Sequence, residues 1–289
     1  MKNLQSKHLI FIFIVIVITV GMYLFVPVAT QKDIKKTNSE MPEAATAQVP
    51  QITIEEFKTK IEERFPSTLL SKINFLEKEA NKTGLSEIEK SDLYSKLAAA
   101  YSDGGAPEVA AWYVSKKAAI ANTSIAWERA GDNFVALQQD PQTADIIKPT
   151  INTHIIDCYQ KALELAPSNA DLKVKLGEGY MEGSDDVMQG VKLMLDVVRA
   201  DSNHYMANLM LGKYGIKSGQ YEKAIVRLEK VISLHSKKLD GYFLLVDAYA
   251  ASGKNNEAAE TLIKAKKLVT DKNLLKEIDV AINELKNKK

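Results

Sequence analysis

The residues of this chain that could do chemistry are few, and their spacing suits little of it. The single cysteine, Cys158, stands directly before Tyr159 with no second thiol to pair with, so it reads as a small buried residue and is silent on redox compartment. Of the four histidines, His8, His154, His204 and His235, none has a histidine or cysteine at the spacing that brings two ligands onto one metal. His204 and His235 fall in turns between helices, and His154 reads as a turn or helix-start residue. Gly177-x-Gly179 begins like a phosphate loop, but Gly183 arrives one residue late and no strand precedes it. The sequons at Asn81 and Asn122 read as helix ends. No grouping of serine, histidine and acid, no pair of catalytic carboxylates and no glycine-rich cradle emerges. The expectation is a non-enzyme with no cofactor and no metal, although a triad assembled from distant positions stays open. With 38 basic against 37 acidic residues among 289, no global charge argues for nucleic acid as a partner.

What would position any of these residues is a repeated unit. Leu211, Gly212, Gly219, Ala224, Leu228, Val231 and Leu234 return 34 residues on as Leu245, Val246, Gly253, Ala258, Leu262, Ala265 and Leu268. Self-similarity at that period predicts a stack of helical hairpins. Upstream, Leu176-Gly177-x-x-Tyr180 opens one further segment. Another opens with Trp127-x-x-Ala130-Gly131-x-x-Phe134 and closes with Tyr159-x-x-Ala162-x-x-Leu165-x-Pro167, but carries about 12 extra residues around Asp140 to Ile151. That excess, bracketed by Pro141 and Pro149, is expected to extend the hairpin's helices rather than to protrude as a loop. A degenerate segment with Tyr94, Leu97, Ala98, Tyr101, Ala111 and Ala118 precedes it.

This pattern resembles the tetratricopeptide repeat over about 91–287. The resemblance implies an all-α, right-handed superhelical solenoid of helix-turn-helix hairpins, with repeats at 91–123, 124–169, 170–204, 205–238 and 239–272. After them, Leu274, Ile278, Ile282 and Leu285 make residues 273–289 a closing helix and tail. Residues 51–90 read as a helical cap at the other end. Thr53-x-x-Glu56 has the form of a capping box, Leu69, Ile73 and Leu76 form an apolar stripe, and the stretch from Thr53 to Thr83 reads helical.

At the amino terminus, Leu9 to Ala29 is 21 residues without a charge. At about 1.5 Å per residue that matches the hydrocarbon thickness of a bilayer. The expectation is a short tail over 1–8, a transmembrane anchor over 9–29 in contact with the lipid bilayer, and a flexible linker over 30–50. The repeats of this single-pass protein would then lie in the periplasm, beside a bacterial inner membrane.

In the family, the first helix of each hairpin lines a concave groove through its second, fifth, ninth, twelfth and thirteenth positions. Carried onto this chain, those positions hold nine acidic residues, Asp92, Asp103, Glu128, Asp132, Asp171, Glu178, Glu182, Asp240 and Asp247, against two basic ones, Lys213 and Lys217. Met181, Met206, Leu209 and Phe243 are the expected apolar anchors. A groove of this kind fits a basic or amphipathic segment of another protein. Ser95, Ala99, Glu128 and Asp132 stand where carboxylate-clamp members carry lysine and asparagine, so a partner's terminal carboxylate is not expected there. The functional expectation is an interaction scaffold or adaptor in cell-envelope assembly or secretion. The alternatives are an assembly factor for c-type cytochromes that binds apoprotein, an organellar import receptor with cytosolic repeats, and an enzyme with a site between the cap and the solenoid.

Overall fold

The computed structural model describes residues 52–184 and 186–287. Among them are 13 α-helices, one 3-10 turn and no strand. Two helices lead, α1 (Ile54–Glu62) and α2 (Ser67–Ala80). Five hairpins follow: α3 (Glu87–Asp103) with α4 (Pro107–Ala121), α5 (Ser124–Gln139) with α6 (Lys148–Leu165), α7 (Ala170–Gly183) with α8 (Val187–Ala200), α9 (Tyr205–Lys217) with α10 (Tyr221–Leu234), and α11 (Leu239–Ala251) with α12 (Asn255–Lys266). Helix α13 (Lys272–Asn287) closes the stack. From α2 onward each helix packs on its neighbours in sequence, and the first helices also touch one another, α7 with α9 and α9 with α11. Nearest-neighbour packing of this kind defines a solenoid.

The core follows the same logic. It divides into three successive apolar clusters, and α7 serves two of them: Leu172 and Leu176 belong to the first, Val174 and Met181 to the second. Alternate faces of one helix are thus spent on the hairpins before and after it. The last cluster buries Ile278, Ile282 and Leu285 of α13 against Ala258 and Leu262 of α12, so α13 covers an apolar face that would otherwise meet water. The hairpin turns at Gly219 and Gly253 have φ of 73° and 78°, a conformation that costs glycine nothing and explains why glycine recurs there 34 residues apart.

Thr53 does close a capping box: its hydroxyl accepts from the Glu56 amide, and the Glu56 carboxylate accepts from the Thr53 amide at 2.9 Å. The helical stretch expected from Thr53 to Thr83 is built as two helices. Pro66 lacks an N–H and cannot stand inside a helix, so the chain breaks there and α2 restarts at Ser67. The break lets α1 lie against α4, while a polar clasp ties α1, α2, α3 and α4 together. Lys58 pairs with Glu62 at 3.3 Å and with Glu77 at 2.9 Å. Tyr113 donates to Glu77 at 2.5 Å, and Tyr101 donates to Glu62 and, at 3.2 Å, to Glu77. Burial, reinforced by these carboxylates, pushes both phenols far above their ordinary pKa, so they remain donors at any working pH. Replacing Glu77 by alanine strips Lys58 and Tyr113 of a partner and is expected to cost roughly 1–3 kcal/mol. A urea midpoint that does not fall would show the clasp to be dispensable, and Glu77→Gln, which keeps an acceptor, should lose less.

The excess residues of the second hairpin are built into the fold. After α5, Asp140 accepts from the Gln142 amide to make a turn, a 3-10 turn spans Asp145–Ile147, and α6 runs for 18 residues. Ile147 and Ile151 are fully buried, and the Thr150 hydroxyl donates to the carbonyl of Ile52 at 2.5 Å. The lengthened helix thereby anchors the segment that leads into α1.

The expected location requires correction. Among the described residues no helix is long and apolar enough to cross a membrane. Even the longest, α6, carries Lys148, Asp157, Lys161 and Glu164, and its buried residues form one face rather than a full circumference. Placement as a single-pass membrane protein with periplasmic repeats is not supported by these helices. The apolar run 9–29, like the tail 1–8 and the linker 30–50, lies outside the described residues.

Candidate functional site

The first helices start where short polar side chains satisfy their leading amides. Thr123 caps α5, Asn169 caps α7 and His204 caps α9, each accepting from an amide three residues on. Starts fixed in this way set the rotation of each helix. Side chains four apart on one helix then share a face, as Glu128 and Asp132 do on α5 and Glu178 and Glu182 on α7.

Between successive first helices these carboxylates do not stand free. Lys175 of α7 reaches back to α5, with its ammonium 2.8 Å from Glu128 and 2.7 Å from Asp132. Tyr159 of α6 donates to the same Asp132 oxygen at 2.7 Å. One hairpin further, Lys213 of α9 reaches back to Glu182 of α7 at 2.5 Å. Burial works to lower the Lys175 pKa, but Asp132 and Glu128 outweigh it and hold the ammonium above its ordinary value. The strongly acidic groove expected from five positions per helix is thus partly neutralised by the chain itself. Lys175 occupies a position next to the ones the resemblance singles out, and its partners lie 43 and 47 residues away, so no local pattern points to it. Removing it by Lys175→Met should cost no more than about 1 kcal/mol, because Lys175, Glu128 and Asp132 are all partly exposed. A larger fall in thermal midpoint would mean that this bridge holds α5 to α7.

Three carboxyls on the face have no ion pair or hydrogen bond among the described residues: Asp103, Glu178 and Asp247. Burial raises the Glu178 pKa, Glu182 adds to the rise, and Lys213 opposes it. Burial alone pushes Asp247, on α11, up to about 7. Of the expected apolar anchors, Met181, Leu209 and Phe243 are buried within the stack and can serve only as floor, whereas Met206 is 36% exposed.

Where α5, α6 and α7 meet, a cleft of about 170 Å³ opens beside these groups, lined by Asp132, Gln138, Asn152, Lys175, Glu178 and Glu182 among others. It adjoins a second cleft of about 240 Å³ that shares Gln138 and Asn152 and ends on Asp145 and Lys148. The Gln138 amide oxygen is shielded from solvent and accepts no hydrogen bond among the described residues. An α-carbon substituent at Gly183 would stand 2.5 Å from the Asn152 side chain, so glycine there is what allows α6 to close this end of the cleft.

Residues 216–276 match the tetratricopeptide repeat family model. The stretch runs from the end of α9 into α13 and contains the best-preserved 34-residue period. Lipopolysaccharide assembly protein B of Escherichia coli strain K12 is 30% identical over 122 residues, which are 37% of this chain and 31% of that protein. The same protein of strain O157:H7 matches with the same figures. The chain therefore spans under a third of the length of the curated relatives it matches. Among solved structures, the type IV pilus biogenesis factor PilW is 18% identical with a TM-score of 0.49, covering 67% of this chain and 86% of that one. MamA is 18% identical with a TM-score of 0.46, covering 62% and 91%.

The residues considered for chemistry sit in structural positions of the helical stack. Cys158 is buried and its thiol is pushed up to about 12 by that burial, which leaves it inert. His154 stacks on Phe134 at 5.0 Å, with its pKa lowered by burial. His204 caps α9 and lies 3.5 Å from Asp171, and His235 meets Tyr205 edge-on. Gly177 and Gly179 are interior positions of α7. Among the described residues no three histidine, cysteine or acidic side chains converge as a metal site would require.

Proposed function

We propose that this protein is a protein–protein interaction scaffold that works in cell-envelope assembly by holding an extended or helical segment of a partner along its first helices. The observation that carries this reading is the continuous face of α5, α7 and α9, bridged by Lys175 and Lys213 and opened by the cleft at Gln138. Such a face offers charge, an apolar floor and a cavity in one line, which suits a side chain sequence better than a small reactive substrate. The partner is a basic or amphipathic segment, with Glu178, Asp247 and the outer oxygens of Glu128, Asp132 and Glu182 as complementary charge, and with Met206, Met181, Leu209, Lys213 and Phe243 shaping the groove. The link to envelope assembly is supported by the similarity to lipopolysaccharide assembly protein B over 122 residues.

The test is site-specific photocrosslinking in the native host. A crosslinker in place of Met206, on the first-helix face, should capture a partner that one in place of Val226 does not; Val226 is an exposed residue of the second helix α10. Equal capture at both positions would remove the groove from the mechanism. Captured partners with no role in building the envelope would remove the cellular assignment.

A further inference from the structure

We propose that the fourth hairpin carries, where α10 meets the turn between α8 and α9, a site for a single phosphate group gripped by the guanidinium of Arg227 and the ammonium of Lys230. The site lies on a second helix, away from the first-helix face, and does not depend on the interaction reading above.

Arg227 is a cation without a counter-ion. Its Nη1 donates to Oδ1 of Asn208 on α9 at 3.4 Å, a long bond to a neutral group, and it forms no ion pair among the described residues. Burial lowers its pKa, with no carboxylate to oppose the shift. Lys58, Lys175, Lys213 and Lys266, which also reach between helices, each meet a carboxylate. Lys230, about one turn along α10 on the same side, donates to the carbonyl of Ser202 at 2.7 Å and likewise has no acidic partner among the described residues. Asn208 joins the two cations, because its Nδ2 donates to that same carbonyl at 3.0 Å. The acids beside them in the chain are engaged elsewhere: Glu229 accepts from the Tyr249 hydroxyl and Asp201 from the Asn203 amide. Both cations are only partly buried, so an ion arriving from solvent can reach them.

The repeat itself does not require this pair. The positions of Asn208 and Arg227 hold, 34 residues on, Tyr242 and Thr261, both buried. The Tyr242 hydroxyl donates to the Ser236 carbonyl at 3.1 Å, the counterpart of the bond from Asn208 to Ser202. A neutral donor therefore completes the turn, and the guanidinium is an addition specific to this hairpin. Two partly desolvated positive charges on one side of a helix repel each other, and an anion between them relieves both the repulsion and the lost hydration. Phosphate suits them better than a carboxylate. It carries close to two negative charges at neutral pH, and its tetrahedral oxygens can face the guanidinium fork and the ammonium at once, whereas a carboxylate leaves one positive charge over. The source is free phosphate or a small phosphate monoester.

The experiment is titration of the full-length chain with inorganic phosphate, glycerol 3-phosphate, acetate and chloride at fixed ionic strength, followed by calorimetry and by the Nε–Hε resonance of Arg227. Phosphate or the ester should saturate one site per chain and bind about tenfold or more tightly than acetate. Tighter binding of glycerol 3-phosphate than of phosphate assigns the site to an ester; equal or weaker binding assigns it to the free ion. Arg227→Lys, which keeps the charge and loses the fork, and Lys230→Gln should each weaken phosphate about tenfold, while Lys117→Gln, at an exposed cation of α4, should change nothing. Phosphate should also raise the thermal midpoint of the wild type and not that of Arg227→Gln, since the ion ties α10 to the turn before α9; melts in chloride confirm that each variant is folded. Acetate as tight as phosphate, titration without saturation, or a loss from Lys117→Gln equal to those at Arg227 and Lys230 overturns the site, and none of these outcomes touches the first-helix groove.

Discussion

Asp247→Asn is expected to stabilise the protein at pH 8 by roughly 2–4 kcal/mol and to change it little at pH 4. The carboxyl of Asp247 is partly buried on α11, has no ion pair or hydrogen bond among the described residues, and is pushed up to about 7 by desolvation alone. In the unfolded chain it titrates near 3.9. Below that value both states hold the proton and folding pays nothing. As pH rises from about 4 the unfolded chain releases a proton that the folded chain keeps, so stability falls until the folded group itself ionises around 7. The full shift corresponds to about 4 kcal/mol, and the residual solvent contact of the side chain argues for the lower part of the range. Urea midpoints of the wild type and the variant at pH 4, 6 and 8 test this, because other carboxyls cancel in the difference. A difference that does not grow with pH would mean that solvent or a partner reaches Asp247 in the folded protein.

Gly190→Val should be the most damaging single change in the repeats, lowering stability by roughly 3 kcal/mol. A side-chain carbon at Gly190 would stand 2.4 Å from the carbonyl oxygen of Gly177 and 2.4 Å from Cγ of Met181. The first of these is backbone and cannot rotate away, so α7 and α8 would have to separate. Even Gly190→Ala should lose stability, although alanine raises helix propensity by about 1 kcal/mol. Gly179→Ala is the control: its new carbon would meet only Ile155 and Ile156 side chains at 3.3 Å, which can give by the small amount needed. Since each hairpin is held by its neighbours alone, the damage should also uncouple α1–α6 from α9–α13 and split the unfolding curve into two steps. A single cooperative transition at the wild-type midpoint would show that the close approach of α7 and α8 contributes nothing.

Much of the fold is readable from one dimension because its determinants are periodic or local. Leu211 and Leu245, Leu228 and Leu262, and Ala224 and Ala258 keep one register because every hairpin packs on an equivalent hairpin. Thr53 with Glu56, and the break at Pro66, act within a few residues and need no tertiary knowledge. The acidic positions Glu128, Asp132, Glu178 and Glu182 could be placed on one face for the same reason. What the periodic reading misses is any residue whose partner lies in another hairpin.

The sequence alone therefore determined the helical period and the small residues where helices must approach closely. Only the tertiary structure decided which charges are cancelled and which remain. Lys175 and Lys213 reach back across hairpins to Asp132 and Glu182, while Glu178 and Asp247 are partly buried without a counter-ion among the described residues. The cleft at Gln138 likewise exists only because a lengthened α6 meets α5 and α7. Period and capping are set by neighbours a few bonds away, whereas desolvation and Coulomb energy depend on distances through space, and it is the stacking of the hairpins that fixes those.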